Sequence, residues 1–211
     1  ANAAIKSDGT LWTFQGAHSI PVQVLANVQA VVCGTDYYGS GTLALKTNGT
    51  VWAWLQGTAP AQVAGLTDII AISGGEWHAL ALKSDGTVWA WGANTFGQMG
   101  NGTADYFYYY FPTQYPPAQV PGLEGIVSIA SGNDFNMALK NDGTVWAWGA
   151  NNSGQLGDGS TLNRFSPVQV HGVGDVGFFT DVATLQAGAS HALAIKTDGT
   201  LWAWGANSFG Q

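Results

Sequence analysis

One tryptophan-containing motif recurs along the whole chain, and its spacing constrains the fold more than any other feature. The clearest copy reads HALALKSDGTVWAWG from His78 to Gly92, and further copies start at Asn2, Thr42, Asn136 and His191. The first tryptophans of the copies are residues 12, 52, 89, 146 and 202, so the copies are 40, 37, 57 and 56 residues apart. A repeat of this length indicates an architecture assembled from similar supersecondary units.

Each copy predicts a β-hairpin. Two short apolar runs flank an Asp-Gly or Asn-Gly pair, which readily accepts the positive φ angles of a tight hairpin turn. In the second run, Trp89 and Trp91 alternate with Val88 and Ala90, so one strand face carries two indoles and the other face carries small residues. Because both faces are apolar, the pattern favours sheets packed face to face around an axis, as in a β-propeller. No segment predicts a helix.

Two other runs recur between the hairpins and complete a four-stranded unit. A Pro-x-Gln-Val tetrad begins at Pro21, Pro60, Pro117 and Pro167, and its proline suits the first residue of an edge strand. A run of small residues that ends in glycine suits the strand nearest to a crowded axis, and it occupies residues 28–34, 68–75, 126–132 and 181–188. Ten hairpin strands, four outer strands and four axial strands make eighteen, whereas five complete blades need twenty.

We therefore expect residues 1–211 to form a single all-β domain, a β-propeller of four-stranded antiparallel blades with about five repeats and an incomplete ring. The first unit lacks an axial strand and the last unit lacks an outer strand. Ring closure removes exposed sheet edges. We thus expect that the chain is a piece of a longer polypeptide, or that a second copy of the chain or a missing segment completes the ring.

The segment from Gly74 to Thr103 carries the repeat most fully, and the sequence NNSGQLGDGS after Trp148 repeats its tail. This pattern resembles the regulator of chromosome condensation repeat family of β-propellers over nearly the whole chain. The resemblance implies a propeller of about seven blades. Members of this family include a nuclear exchange factor for a small GTPase and a secreted bacterial inhibitor that caps β-lactamases with one propeller face. Short repeats without long charged insertions are more similar to the secreted bacterial branch, which implies a secreted or cell-surface bacterial protein.

The composition excludes several classes of partner and site. Charged residues make up 9% of the chain, and six basic against thirteen acidic residues give a net charge of -7, the wrong sign for a protein that follows a nucleic-acid backbone. No apolar run approaches the roughly 20 residues that span a bilayer. Cys33 is the only cysteine, which excludes an internal disulfide and a cysteine-based zinc cluster. Its position holds small residues in the other units, so we expect a packed thiol.

The sequence offers no catalytic residues, and we expect no enzymatic activity, no cofactor and no metal. It contains no HExxH, GxSxG or P-loop motif. His78 and His191 share one repeat position in non-adjacent units, so we interpret them as structural. One lysine per unit occupies a single repeat position, which predicts a solvated strand end that protects the sheet edge: Lys6, Lys46, Lys83, Lys140 and Lys196.

The candidate binding residues are acids and aromatics in loops that precede the hairpins. Trp77 is the one tryptophan outside the repeat, and it follows Glu76. Equivalent loops pair Asp36 with Tyr37 and Tyr38, and Asp134 with Phe135. These loops and the connection after the third strand of a blade emerge on the same propeller face, and that connection holds six consecutive aromatics, Tyr106, Phe107, Tyr108, Tyr109, Tyr110 and Phe111. Surface aromatics mark interfaces. In the resembling β-lactamase inhibitor, aromatic loops at this place contact the enzyme.

The sequence therefore predicts a non-catalytic binding or scaffold propeller that docks a protein partner through an aromatic, acidic loop face. Two alternatives stay open. Self-assembly into a surface filament or layer is favoured by the missing strands and by the low charge, which limits repulsion between subunits. Carbohydrate binding is favoured by exposed Trp and Tyr, although the loops differ between units. Exchange activity on a small GTPase is a weaker option, and an enzyme is the weakest.

Overall fold

The computed structural model describes residues 2–14, 20–33, 41–55, 57–105 and 113–210, which form eighteen strands in five antiparallel sheets. Each sheet contains consecutive strands, as a propeller blade does. Within these ranges the only helical element is a 3-10 turn at Val173–Asp175, and none of the described helical structure could span a membrane. The prediction of an all-β incomplete propeller is confirmed.

The first sheet contains three strands, β1 (Asn2–Ile5), β2 (Leu11–Phe14) and β3 (Val22–Leu25). The second contains β4 (Val28–Cys33), β5 (Thr42–Lys46), β6 (Val51–Trp54) and β7 (Ala61–Gln62), and the third contains β8 (Ile69–Gly74), β9 (His78–Lys83), β10 (Val88–Gly92) and β11 (Tyr115–Gln119). The fourth contains β12 (Ile126–Ser131), β13 (Phe135–Lys140), β14 (Val145–Gly149) and β15 (Arg164–Gln169). The fifth contains β16 (Val182–Ala187), β17 (His191–Lys196) and β18 (Leu201–Gly205). The described ranges thus contain the eighteen strands that the sequence predicts.

The Asp-Gly pairs form the hairpin turns, as expected. In the β9–β10 turn, Gly86 adopts a φ of 81°, which a side chain would strain. The carboxylate of Asp85 accepts hydrogen bonds from the backbone N–H of Thr87 at 3.0 Å and from its hydroxyl at 2.6 Å. These bonds lower the pKa of Asp85, the side-chain bond contributing most. The turn aspartates therefore hold the hairpins together.

The tryptophan face of each sheet packs against the small-residue face of the sheet before it. Trp146 and Trp148 of the fourth sheet pack in one cluster with Leu80, Val88 and Ala90 of the third. The same arrangement joins each other pair of neighbouring sheets. The axial strands β4, β8, β12 and β16 contact one another in that order around the inside. The alternation of large and small residues along the hairpin therefore fixes both the neighbour of each sheet and the direction of stacking.

Two local predictions were wrong. The proline of the Pro-x-Gln-Val tetrad does not begin the outer strand in the third and fourth sheets: Pro117 and Pro167 lie inside β11 and β15, where the strand register shifts. A shifted register on an outermost strand leaves room for a residue without an N–H. Cys33 is exposed at the last residue of β4 instead of packed, because the strand ends there.

The repeat lysines lie over tryptophan rings of their own hairpins. The Lys6 ammonium is 4.1 Å from the ring centroid of Trp12, and the Lys140 ammonium is 5.9 Å from that of Trp146. These are cation–π distances. The sequence predicts that the lysines share one position at a strand end, but it does not predict this contact with the ring. The contact is thus a second role for these lysines.

Candidate functional site

Only part of the predicted binding surface lies in the described residues. Glu76 and Trp77 lie in the loop between β8 and β9, and Asp134 lies directly before β13. All three side chains are half-buried. Asp36, Tyr37, Tyr38 and the aromatic residues Tyr106, Phe107, Tyr108, Tyr109, Tyr110 and Phe111 lie outside the described residues.

Phe135 differs from the prediction of a loop aromatic available to a partner. It is the first residue of β13, and its side chain is fully buried. Its ring packs on Gly132, where an added Cβ would come within 2.0 Å of the ring. His78 packs in the same way on Gly75, and His191 packs on Gly188. The repeat position thus holds a ring against a glycine, and Phe135 is a core residue.

Glu76 and Asp134 form an acidic pair between neighbouring sheets. The backbone N–H of Glu76 donates to the carbonyl oxygen of Asn133 at 2.9 Å, which joins the two loops. Burial and, to a smaller extent, the negative charge of Glu76 raise the pKa of Asp134 to about 6, although Gln98 donates a hydrogen bond to the Asp134 carboxylate at 3.1 Å, which lowers it. The pair therefore carries a negative charge that the protein compensates only partly.

A buried hydrogen-bond network lies beneath this pair. His78 Nε2 is 2.7 Å from Asn136 Oδ1, and Asn136 Nδ2 donates to the carbonyl oxygen of Gln98 at 3.0 Å. Because the amide nitrogen of Asn136 is already a donor to a carbonyl, its oxygen is the acceptor and His78 Nε2 carries the proton. Burial lowers the pKa of His78 to about 4. A neutral, hydrogen-bonded histidine positions the loops, as expected for a structural residue.

A pocket of about 340 Å³ opens between the second and third sheets on the side of Trp77. Trp54, Trp77 and Trp91 line it together with Leu43 and Gln114, a residue of the connection after the third strand of the third sheet. Gly41 also lines it, at the repeat position where the third and fourth sheets carry the rings of His78 and Phe135. A Cβ added at Gly41 would come within 1.8 Å of the carbonyl oxygen of Trp54, so this position has no room for a ring, and comparison of the copies identifies it as a departure from the repeat.

The described residues offer no assembled metal centre. Across the described ranges, no three or more His, Cys, Asp or Glu side chains are grouped so that they could hold a metal ion. The polar groups around Glu76, Asp134 and Trp77 are suited to noncovalent recognition, since they combine negative charge with an exposed part of an indole.

Comparisons with known proteins identify the repeat. The Regulator of chromosome condensation (RCC1) repeat matches residues 85–139 and 142–195, and a second description of the same repeat matches residues 69–98, 126–155 and 182–211. The human probable E3 ubiquitin-protein ligase HERC6 is 32% identical over 213 residues, which cover 90% of this chain and 20% of that protein.

Two solved structures share the fold. Yeast RCC1 (Prp20) bound to Kap60 superposes with a TM-score of 0.74 at 22% identity, over 97% of this chain and 54% of that one. Prp20p from Saccharomyces cerevisiae, described with its binding properties to Gsp1p and histones, also gives a TM-score of 0.74, at 22% identity, over 96% of this chain and 55% of that one. The chain thus spans about half the length of these structures and a fifth of the human relative.

Proposed function

Because the chain belongs to the regulator of chromosome condensation (RCC1) repeat family, we propose that it is a non-catalytic binding propeller that docks a protein partner through one face. This docking face is defined by Glu76, Trp77 and Asp134, with Asp36, Tyr37, Tyr38 and the segment Tyr106–Phe111 as its further predicted members. The observation that carries the proposal is the half-buried acidic pair beside Trp77. The solved relative Prp20 binds Kap60, which supports a protein as the partner.

The charge of the docking face indicates the chemistry of the partner. Asp134 loses its proton less readily than usual because burial and Glu76 raise its pKa to about 6. A lysine or arginine of a partner placed near the pair would favour the ionised form of Asp134. Binding would then release a proton, so we expect the affinity to rise between pH 5 and pH 7.

Site-specific photo-crosslinking tests the choice of face. A photoreactive amino acid at position 77 is expected to trap one discrete protein, and Glu76→Lys in the same chain is expected to abolish the product by charge reversal. The matched control places the photoreactive residue at Ser84, in an Asp-Gly turn at the opposite end of the β9 strand. Equal products from both positions, or a product at position 77 that Glu76→Lys leaves unchanged, would contradict the proposal.

We also propose that the protein works outside the bacterial cell. This location rests on the low content of charged residues, 9%, and on the thirty glycines of the chain. Fractionation of the source cells with an antibody against the chain would test it, and recovery of the protein in the cytosol alone would contradict it.

A second candidate, self-assembly, is favoured by exposed apolar residues on the fifth sheet. Leu201 is 67% exposed and Ile195 is 43% exposed, whereas Val88, at the position equivalent to Leu201 in the third sheet, is fully buried. On the first sheet, Phe14 takes the second tryptophan position and is 37% exposed. The tryptophan face of a second copy would cover the fifth sheet in the way that the sheets cover one another within the chain.

Light scattering across a range of concentrations tests this second candidate. Self-association that Leu201→Lys abolishes, and that Leu162→Lys leaves intact, is the expected result. Leu162 is a suitable control because it is 66% exposed but lies in a loop of the fourth sheet. A monomer at every concentration would contradict assembly through these faces.

A further inference from the structure

The chain fills the interface between the third and fourth sheets with one of its own loops. The loop 93–102 follows β10, and the carbonyl oxygen of Gln98 accepts a hydrogen bond from Trp148 Nε1 at 2.9 Å. The next residue, Met99, is buried in a cluster with Trp148. The following interface repeats the arrangement: Trp204 Nε1 donates to the carbonyl oxygen of Gln155 at 3.0 Å, and Leu156 is buried beside it. A carbonyl and an aliphatic side chain thus pack against the second tryptophan at each of these interfaces.

Among the described residues, no loop of this kind lies at the interface between the second and third sheets. Five residues, 55–59, separate β6 from Pro60, the first residue of the tetrad, and they replace the long tail that follows the tryptophans of the third and fourth sheets. Trp91 takes the place of Trp148 and Trp204 here, but its indole N–H has no hydrogen-bond partner among the described residues. The pocket of about 340 Å³ occupies this place, with Trp91, Leu55 and Ala59 in its wall. A volume of this size falls within the range of about 300 to 1,000 Å³ that is common for ligand sites.

The acidic pair of the docking face lies beside the pocket, although neither carboxylate lines it. Gly75 and Trp77 both line the pocket, and Glu76 lies between them in the chain. Asp134 is close enough to Glu76 for the two charges to repel. Glu76 thus places a negative charge next to a pocket whose wall contacts apolar groups.

We propose that this pocket binds a peptide loop of the partner protein that supplies what the missing loop supplies elsewhere, together with a cation. The backbone carbonyl of that loop accepts the N–H of Trp91, a leucine or methionine side chain enters the pocket, and an adjacent lysine or arginine pairs with Glu76 and Asp134. The inference rests on the proposed docking of a protein and names the part of the partner that enters the site. The model for this arrangement is the pair of interfaces in which a loop of the chain itself accepts the N–H of Trp148 or Trp204.

A synthetic peptide that copies the chain's own loop provides the probe. Residues 154–157 read Gly-Gln-Leu-Gly, and the probe is this sequence with a lysine added and both ends blocked. The indole N–H signals of the uniformly ¹⁵N-labelled 211-residue chain provide the readout, with Trp91 assigned from the variant Trp91→Phe. We expect a saturable shift of the Trp91 signal, while the signals of Trp148 and Trp204, which are already hydrogen-bonded, stay in place.

Two altered peptides test the named contacts. Replacement of the leucine of the probe by glycine is expected to abolish binding, because the pocket then gains no apolar side chain. Replacement of the added lysine by glutamate is expected to weaken binding by about tenfold, a difference of about 1.4 kcal/mol, and this difference should shrink at high salt. Equal affinity of the lysine and glutamate peptides would overturn the role assigned to Glu76 and Asp134.

A variant that fills the pocket provides the control on the protein side. Ala59 is exposed in the pocket wall, so Ala59→Trp is expected to block the peptide while Ala59→Ser binds it normally. Unchanged Trp148 and Trp204 signals would show that the variant is folded. A Trp91 signal that no peptide moves would overturn the inference, and so would a free chain in which Trp91 is already hydrogen-bonded.

The crosslinking experiment separates this inference from the docking proposal. If the peptide does not bind the unaltered chain, and Ala59→Trp leaves the crosslinked product at position 77 intact, the docking face stands and the pocket proposal fails. If the peptide binds at Trp91 but position 77 traps no protein, the pocket stands as a peptide site and the docking proposal fails. Binding of free indole without binding of the peptide would also overturn the inference, since the occupant would then be a small aromatic molecule.

Discussion

The interface between the third and fourth sheets is filled, whereas the interface between the second and third sheets is open. Both join a tryptophan face to a small-residue face. In the filled interface, His78 packs beside Asn136 and the loop around Gln98 covers Trp148. In the open interface, Gly41 and Ala79 take the positions of His78 and Asn136, and a pocket lies beside Trp91. The hairpin pattern is therefore sufficient for the fold, and the residues outside it decide which interface can receive a ligand.

The largest expected difference between the two interfaces comes from removing one indole from each. Trp148 is fully buried, so Trp148→Ala should lower the free energy of unfolding by about 3 to 5 kcal/mol. Trp91 is half-buried and borders the pocket, so Trp91→Ala should cost clearly less. Urea unfolding followed by far-UV circular dichroism measures both. Equal losses would mean that the interface between the second and third sheets is packed as tightly as the interface between the third and fourth, and would contradict the difference described above.

The second expected effect concerns acid and the buried pair His78 and Asn136. Burial lowers the pKa of His78 from 6.5 to about 4, so the unfolded chain binds a proton that the folded chain excludes. The free energy of unfolding should therefore fall as the pH drops from 6.5 to 4, by up to about 3 kcal/mol from this group.

Replacing both members of the pair removes this sensitivity. The interface between the fourth and fifth sheets has Phe135 and Ala192 at these positions, so His78→Phe with Asn136→Ala should be close to neutral at pH 7. His78→Phe alone leaves Asn136 Oδ1 without its partner and should be destabilising at every pH. A single variant as stable as the double variant would show that the hydrogen bond contributes nothing.

A smaller effect with the opposite pH dependence is expected at Asp134, in the loop before β13 that is joined to the loop of Glu76. Because the folded pKa of Asp134 is raised from 3.8 to about 6, its contribution to stability is present below pH 3.8 and is lost as the pH rises through 6. Asp134→Asn should thus stabilise the chain by about 2 kcal/mol at pH 7.5 and by almost nothing at pH 3.5. The same substitution should also weaken the binding of a basic partner. Thermal unfolding at the two pH values measures the first effect, and a gain that is the same at both would exclude ionisation as its cause.

The smallest expected effect concerns the lysine–tryptophan contacts, which should not differ between the third and fourth sheets and therefore serve as a control. Lys83 lies 5.7 Å from the ring centroid of Trp89 in the third sheet, and Lys140 lies 5.9 Å from that of Trp146 in the fourth. Both pairs lie at the turn ends of their hairpins, so Lys83→Ala and Lys140→Ala should each cost about 0.5 kcal/mol. Denaturant midpoints measured in parallel test this expectation. A clear difference between the two variants would mean that the open interface lowers the stability of the third sheet as far as the turn of its hairpin.

The sequence predicts the strands well because each hairpin carries its own signals, the Asp-Gly turn and the alternation of large and small residues. The eighteen strands and the two three-stranded sheets follow from these local patterns. Phe135 and Cys33 were misplaced because their environments depend on a neighbouring strand or on where a strand ends. A copy-by-copy alignment would have marked Gly41 and the short stretch after Trp54 as departures from the repeat. It could not have shown that these departures meet Trp91 of the next sheet.

The stacking of every tryptophan face on the preceding sheet has a consequence for how such a chain can change. Each interface is specified by two complementary surfaces that recur in every unit. A unit that is duplicated, lost or exchanged therefore still presents a tryptophan face and a small-residue face to its neighbours, and a shortened loop alters one interface alone. The architecture thus tolerates recombination of its modules while each seam between them varies independently, which allows new recognition sites to arise without redesign of the core.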